Sequence, residues 1–149
     1  MIETVGIIGA GTMGNGIAQV CAAAGLQVVM VDISDAAVSR GVSTIGGSLD
    51  RLVKKEKMTE ADRDAALKRI NGTTDKSKLS SCDLVIEAAT ENEDLKIKIL
   101  KDLCAGLQPH ALVATNTSSI SVTKLAAATD RPDRFIGMHF FNPVPMMAL

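Results

Sequence analysis

The stretch that decides the fold is "TVGIIGAGTMGNGIAQVCAAAGLQVVMVD", Thr4 to Asp32. It opens with a short β-prone run, continues into glycines at positions 9, 11 and 14, and then shows apolar residues at helical spacing. Gly25 stands where the C-terminal cap of that helix belongs, and a second β-prone run follows at 27–32. A Gly-X-Gly-X-X-Gly pattern is weak by itself, but between a strand and a helix it predicts a dinucleotide-binding turn.

The three glycines and the acidic residue after them have separate physical roles in such a turn. Gly9 permits the tight turn, Gly11 lets the backbone approach a pyrophosphate, and Gly14 lets the helix pack closely. The helix N-terminus attracts the phosphates. Asp32 can accept hydrogen bonds from the adenosine ribose, and the residues that follow it (Ile33, Ser34, Asp35) offer no arginine for a 2′-phosphate. The pattern therefore favours NAD over NADP.

Further along the chain, β-prone runs alternate with helical patterns, which is typical of a parallel sheet with crossover helices. We predict an α/β protein of the Rossmann type, with a doubly wound, mostly parallel sheet. A helical hairpin at about 34–70 is inserted after the second strand, with Ser34 and Thr59 as the N-caps of its helices. Later strands are predicted at 70–74, 83–88, 111–115 and 134–140. The helix capped by Asn92 is expected to bury Leu95, Ile99, Leu103 and Leu107.

Composition excludes several classes of function. The formal net charge is −1 and the chain has no Trp or Tyr, so neither charge nor aromatic stacking favours nucleic-acid binding. No apolar run approaches the ~20 residues that cross a membrane, and the N-terminus lacks the features of a signal peptide. Three cysteines without CxxC spacing indicate reduced thiols, with neither a disulfide framework nor a metal site. We expect a cytoplasmic protein without membrane or nucleic-acid partners.

Polar residues follow three of the predicted strands, at the sheet edge where ligands bind in such folds. They form "TEN" at 90–92, "NTSS" at 116–119 and "HFFNP" at 139–143. His139 is the candidate catalytic base, because imidazole can take the hydroxyl proton as hydride leaves. Ser118 and Asn142 are candidates to hold a substrate oxygen. His139 could instead be a satisfied core histidine, and Glu91 could merely provide favourable charge at a helix N-terminus.

Four segments, "GIIGAGTMGNGIAQVCAAAG", "VIEAATEN", "ATNTSSIS" and "GMHFFNPVP", resemble the L-3-hydroxyacyl-CoA dehydrogenase family, and most of all its bacterial 3-hydroxybutyryl-CoA dehydrogenases. The resemblance implies NAD-dependent interconversion of 3-hydroxyacyl-CoA and 3-ketoacyl-CoA, with 3-hydroxybutyryl-CoA or acetoacetyl-CoA as substrate. His139 would be the base, with Ser118 and Asn142 orienting the substrate. The implied cofactor-binding residues are Gly9, Ala10, Gly11, Thr12, Met13, Gly14, Asp32, Glu91, Lys96, Ser118 and Asn142.

The resemblance also concerns coenzyme A and the rest of the family's architecture. It assigns Ser48 and Lys55, on the first helix of the hairpin, to the coenzyme A moiety, together with Ser118. From the residues alone, Lys55 fits a solvated basic face equally well. The glutamate that orients the family's histidine would fall two positions beyond Leu149, and the C-terminal helical domain, through which the parent enzyme would form a homodimer, would be absent. We therefore expect 1–149 to be an NAD-binding domain with little or no turnover.

Three alternatives stay open from the sequence. The chain could be a non-catalytic NAD-binding module. It could belong to a related dehydrogenase with another substrate. The apolar segment formed by Phe140, Phe141 and 146–149 could be exposed and drive self-association.

Overall fold

The structure, a computed structural model, describes residues 1–117 and 120–146. Its strands are Thr4–Ile8 (β1), Gln27–Val31 (β2), Ile70–Thr73 (β3), Leu84–Glu87 (β4), Leu112–Thr115 (β5) and Phe135–Gly137 (β6). Its helices are Thr12–Ala23 (α1), Asp35–Lys54 (α2), Glu60–Lys68 (α3), Glu93–Gly106 (α4) and Val122–Ala127 (α5).

In the described residues the strands form one sheet in the order β3-β2-β1-β4-β5-β6, and every neighbouring pair is parallel. The order reverses at β1, whose crossovers lead towards β2 on one side and β4 on the other. This topology confirms the predicted doubly wound α/β fold. It also places the ligand crevice at the carboxyl ends of β1 and β4.

Alternate residues of each strand point into two separate cores. Along β2, Val28 and Met30 pack in one core, whereas Val29 and Val31 pack in the other. The first core is covered by α1, α2 and α3, and the second by α4 and α5. Burial on both faces explains why these strands read as continuous apolar runs rather than as alternating ones.

The predicted helical hairpin is present between β2 and β3. The Ser34 hydroxyl accepts a hydrogen bond from Ala37 N at 3.2 Å, and the Thr59 hydroxyl accepts one from Asp62 N at 3.1 Å. These are the N-caps of α2 and α3. Between the helices Glu56 adopts φ 59°, a left-handed conformation that is uncommon outside glycine.

The prediction for the last strand was wrong in its length. β6 ends at Gly137 instead of residue 140. Met138 N still donates to Thr115 O at 2.9 Å, but Thr115 is the last residue of β5. The next backbone donor, Phe140 N, therefore pairs with the side-chain oxygen of Asn116. The chain leaves the sheet because its neighbouring strand has ended.

The predicted apolar stripe of α4 was also partly wrong. Leu95 is 48% exposed, whereas Lys96, Leu100, Leu103 and Cys104 face inwards. Leu103 and Leu107 are buried as predicted, but in the first half of the helix the buried positions are shifted by one residue, to Lys96, which pairs with a buried carboxylate at the end of β4, and to Leu100.

Cys21, Cys82 and Cys104 are free. Burial raises the pKa of Cys21 and of Cys82 to about 11, so both thiols stay protonated near neutral pH. No helix among the described residues is long and apolar enough to cross a membrane.

Candidate functional site

The glycine loop between β1 and α1 has the geometry of a phosphate-binding turn. Gly9 has φ 107°, and its N–H donates to Val31 O at 2.8 Å, which ties the turn to β2. A Cβ on Gly14 would lie 1.7 Å from Gly9 O, so only glycine permits this contact between helix and loop. A Cβ on Gly11 would meet nothing within 4 Å. The backbone of Gly11 therefore faces open space at the N-terminus of α1, where an anion can approach.

Asp32 follows β2 and is held beside this loop. Its Oδ2 accepts a hydrogen bond from Ala10 N at 2.8 Å, and its Oδ1 accepts one from Ile33 N at 2.6 Å. Each carboxylate oxygen keeps a further lone pair for a ribose hydroxyl. A cavity of about 320 Å³ opens here, lined on one side by Ala10, Gly11, Thr12 and Asp32. Met13, also predicted to bind the cofactor, is partly buried and packs against the first core, and its contact with the cofactor stays a prediction.

Glu91 lies in the loop between β4 and α4. Thr117 Oγ1 donates to Glu91 Oε2 at 2.9 Å, which joins the loop after β4 to the loop after β5. The helix that follows is capped by Asn92, whose Oδ1 accepts from Leu95 N at 3.0 Å. Glu91 therefore lies at the edge of the sheet where the crevice was expected, and it bridges two of the loops that border it.

Lys96 is placed beneath the crevice. Its side chain is fully enclosed, and its ammonium donates to Glu87 Oε1 and, at 3.3 Å, to Thr115 Oγ1. Thr115 Oγ1 donates to the same carboxylate oxygen at 3.0 Å, while Glu87 Oε2 accepts from Ala89 N at 2.8 Å. The Lys96 ammonium is thus paired with the Glu87 carboxylate. A direct contact with the cofactor stays a prediction.

His139 lies just beyond β6 and is exposed, so it is not the satisfied core histidine of the alternative interpretation. Its ring centroid is 4.6 Å from that of Phe141, at a tilt of 43°. The next residue, Phe140, is buried, and its N–H donates to Asn116 Oδ1 at 2.9 Å. Asn142 is exposed and precedes Pro143 through a cis peptide bond. Of the apolar segment expected to be exposed, Phe140 is in the core, Phe141 and Met146 are exposed, and 147–149 lie outside the described residues.

The remaining predicted site residues lie elsewhere. Ser118 is outside the described residues. Ser48 is half-buried on α2, and Lys55 is exposed directly after the end of that helix. The other histidine, His110, is not a predicted site residue. It lies just before β5, at the edge of the sheet opposite the glycine loop, with Nε2 3.6 Å from Asp83 Oδ1. No group of three His, Cys, Asp or Glu side chains within 1–117 and 120–146 is arranged to hold a metal ion.

Sequence reasoning did not single out two important residues. Asn116 is buried and anchors the backbone beside His139 across 24 positions of sequence. Glu87 is the buried partner of Lys96. A signal for Glu87 did exist, since a carboxylate that ends a fully apolar strand needs a cation. Lys96 lies at i, i+4 spacing from Leu100, on the face of α4 that is buried.

The loop, Asp32 and the order of the strands together define a Rossmann-type dinucleotide-binding domain. Two features fit a dinucleotide: the open space at Gly11, and the ability of the Asp32 carboxylate to accept further hydrogen bonds. Residues 4–149 match the family model described as "3-hydroxyacyl-CoA dehydrogenase, NAD binding domain". The chain belongs to this family, and its cofactor is NAD.

Individual relatives agree with the family model. The chain is 55% identical to a 3-hydroxybutyryl-CoA dehydrogenase of Bradyrhizobium diazoefficiens, over all of this chain and 51% of the relative. It resembles the crystal structure of (S)-3-hydroxybutyryl-CoA dehydrogenase from Ralstonia eutropha with a TM-score of 0.98 and 67% identity, covering 53% of that chain. A 3-hydroxyadipyl-CoA dehydrogenase of Escherichia coli is 44% identical and 31% covered. The chain therefore spans about half the length, or less, of these relatives.

Proposed function

We propose that the protein carries out the NAD-dependent oxidation of a 3-hydroxyacyl-CoA to a 3-ketoacyl-CoA, or the reverse, with 3-hydroxybutyryl-CoA as the preferred substrate. The observation that carries the proposal is the position of His139. It is exposed at the same edge of the sheet as the glycine loop, and Asn116 anchors the backbone next to it. The relatives named as 3-hydroxybutyryl-CoA dehydrogenases support the choice of substrate.

In this proposal His139 moves the proton. Oxidation at C3 breaks the O–H bond of the substrate hydroxyl and the C–H bond at the same carbon. The imidazole accepts the hydroxyl proton, and the electron pair of the C–H bond leaves with its hydrogen as hydride. The nicotinamide of NAD supplies the hydride acceptor. The ring of Phe141 packs against the imidazole. In the proposal Ser118 and Asn142 hold the substrate oxygen by hydrogen bonds.

Glu91 and Lys96 have different tasks in this proposal. Glu91 keeps the loops after β4 and β5 together at the nicotinamide side of the crevice. Lys96 acts as a positioning residue, because its charge fixes Glu87 and Glu87 in turn fixes the backbone at Ala89. The loop that leaves β4 is thereby held for the cofactor.

The coenzyme A moiety is assigned to the hairpin and the acyl chain to a further domain. Ser48 and Lys55 are proposed to contact coenzyme A, with the Lys55 ammonium beside a phosphate. We further propose that the parent enzyme has a C-terminal helical domain that completes the acyl pocket and forms a homodimer. Residues 1–149 alone would then bind NAD with little or no turnover. The free thiols and the NAD-dependent reaction fit a cytoplasmic location.

The chemistry is tested by His139→Ala in a chain extended to the full length of the relatives. With acetoacetyl-CoA and NADH, kcat should fall by about 10²–10⁴, which is the usual contribution of a general base. The Kd for NADH should stay within twofold. His110→Ala, on the opposite rim, is the matched control and should keep full turnover. Unchanged kcat in the His139 variant would remove this residue from the reaction.

The role of the first 149 residues is tested separately with the unextended chain. It should bind NADH in calorimetry, while its rate in the same assay stays far below that of the extended protein. A rate close to that of the extended protein would contradict the need for a further domain.

A further inference from the structure

The cavity beside Asp32 has a second wall, which is formed by α2. Ala37, Arg40, Gly41 and Thr44 line it. These positions are spaced at 3, 4 and 7 residues, so they share one face of the helix. The hairpin therefore contributes to the dinucleotide site, although the sequence connected it only with coenzyme A.

Gly41 brings this wall close to the loop. A Cβ at Gly41 would lie 2.8 Å from Ala10 O and 3.0 Å from Ala10 Cβ. The backbone of α2 thus passes directly against the residue that donates to Asp32. Arg40, which precedes Gly41, projects from the same stretch of helix into the same cavity as the Asp32 carboxylate.

The Arg40 guanidinium is free to contact a ligand. Arg40 is exposed, and within 1–117 and 120–146 no carbonyl or carboxylate oxygen accepts a hydrogen bond from its guanidinium. Asp32, in contrast, is already fixed by two backbone N–H groups. A cation without an internal partner, facing a cavity with small side chains opposite it, is a candidate for ligand recognition.

The order of groups along the dinucleotide decides which part meets Arg40. The pyrophosphate belongs at Gly11 and the N-terminus of α1, and the ribose belongs at Asp32. The base that follows the ribose can then reach α2, the second wall of this cavity. A planar, weakly hydrated guanidinium stacks well on an aromatic face. The Asp32 carboxylate would repel a 2′-phosphate, which makes a phosphate the less favourable partner.

We propose that Arg40 is a specificity-determining residue of the dinucleotide site and that its guanidinium stacks on the adenine ring of NAD. The proposal rests on the dinucleotide site and is independent of the chemistry assigned to His139. Binding alone tests it, so failure of the proposed oxidation would leave its outcome unaffected.

The test is calorimetry on Arg40→Ala and Arg40→Lys, with Arg51→Ala as a charge-matched control on the same helix. The ligands are ADP-ribose, NADH and NADPH. Reduced nicotinamide mononucleotide, which lacks the adenosine, is followed by its own fluorescence. In Arg40→Ala the affinity for ADP-ribose and NADH should fall about three- to fivefold, as for a cation–π contact at an exposed site. The affinity of Arg40→Ala for the mononucleotide should not change. The affinity of Arg40→Lys for ADP-ribose and NADH should lie between those of Arg40→Ala and the unmodified chain. Arg51→Ala should have the affinities of the unmodified chain.

Three results would overturn the assignment. The first is an ADP-ribose affinity within twofold of the unmodified chain in Arg40→Ala. The second is an equal loss for the mononucleotide, which would indicate a general disturbance of the site. The third is a larger loss for NADPH than for NADH, which would show that the guanidinium serves a phosphate.

Discussion

A Gly11→Ala substitution adds one methyl group to the glycine loop, at a place where the chain itself has no atom within 4 Å. The backbone there has φ −69° and ψ −166°, which alanine adopts without strain. Gly11 is the N-cap of α1, and alanine is the poorer cap by about 0.5–1 kcal/mol. Alanine also lowers the conformational entropy of the unfolded chain, which raises the free energy of unfolding by about 0.4–1 kcal/mol. The free energy of unfolding should therefore change by less than about 0.5 kcal/mol.

The effect on the cofactor should be much larger. A phosphate oxygen has to come within about 2.9 Å of a backbone nitrogen to accept its hydrogen bond. A methyl carbon in the approach path keeps that oxygen at van der Waals distance instead, about 3.5 Å. A hydrogen bond to a charged group contributes about 1.5–3 kcal/mol. Losing one such bond corresponds to a decrease in NADH affinity of about 10- to 150-fold.

Calorimetric titration with NADH and urea unfolding of the same variant separate the two effects. Gly46→Ala is the matched control, because its Cβ also meets nothing within 4 Å but lies on α2, away from the loop. It should raise stability by about 1 kcal/mol and leave NADH affinity unchanged. Gly14→Ala should damage both properties, since its Cβ would collide with Gly9 O. Normal NADH affinity in Gly11→Ala would refute the idea that the pyrophosphate lies against this backbone.

Further predictions concern stability. Lys96→Met leaves the enclosed Glu87 carboxylate without its cation, so the free energy of unfolding in urea should decrease by about 3–5 kcal/mol. The control Lys98→Met, on the exposed side of α4, should change this free energy by less than about 0.5 kcal/mol. A loss no larger than that of the control would contradict the buried pair. Glu56→Gly relieves a left-handed backbone and should raise stability by about 0.5–1 kcal/mol; a decrease would count against that strain. The Asp83 carboxylate accepts hydrogen bonds from two backbone N–H groups at the start of β1, which lower its pKa. The pKa of Asp83 is lower in the folded than in the unfolded protein, so the stability that it contributes is present above the ordinary carboxyl pKa and is lost as the pH falls through the lowered value. In Asp83→Asn the free energy of unfolding should therefore decrease less steeply as the pH is lowered over this acidic range.

Much of the fold was predictable because its signals are local. The glycine loop, the caps at Ser34, Thr59 and Asn92, and the apolar runs of the buried strands each lie within a few neighbouring residues. The prediction failed where a distant partner decides the geometry. The orientation of α4 depends on Glu87, and the end of β6 depends on where β5 stops. Neither partner is visible in the periodicity of the segment itself.

The same division holds for the candidate site. The loop from Gly9 to Gly14, Asp32 and His139 could be chosen from sequence, because each stands at the end of a recognisable strand or run. Arg40 could not, and Asn116 was visible only as the first residue of the polar run at 116–119. Arg40 reaches the cavity only because α2 packs against Ala10, and Asn116 matters only because its oxygen meets a backbone N–H of the segment that follows β6.

The amino-acid order by itself determined that this chain makes a parallel sheet with a dinucleotide turn at its start, since strand and helix periodicity and glycine sterics act between near neighbours. Tertiary packing alone decided which charge is enclosed, where the last strand stops and which helix closes the nucleotide cavity. Those outcomes depend on groups 9 to 31 positions apart in the chain, such as Lys96 with Glu87, Phe140 with Asn116 or Gly41 with Ala10. Burial and hydrogen bonding across such separations exist only once the sheet has formed.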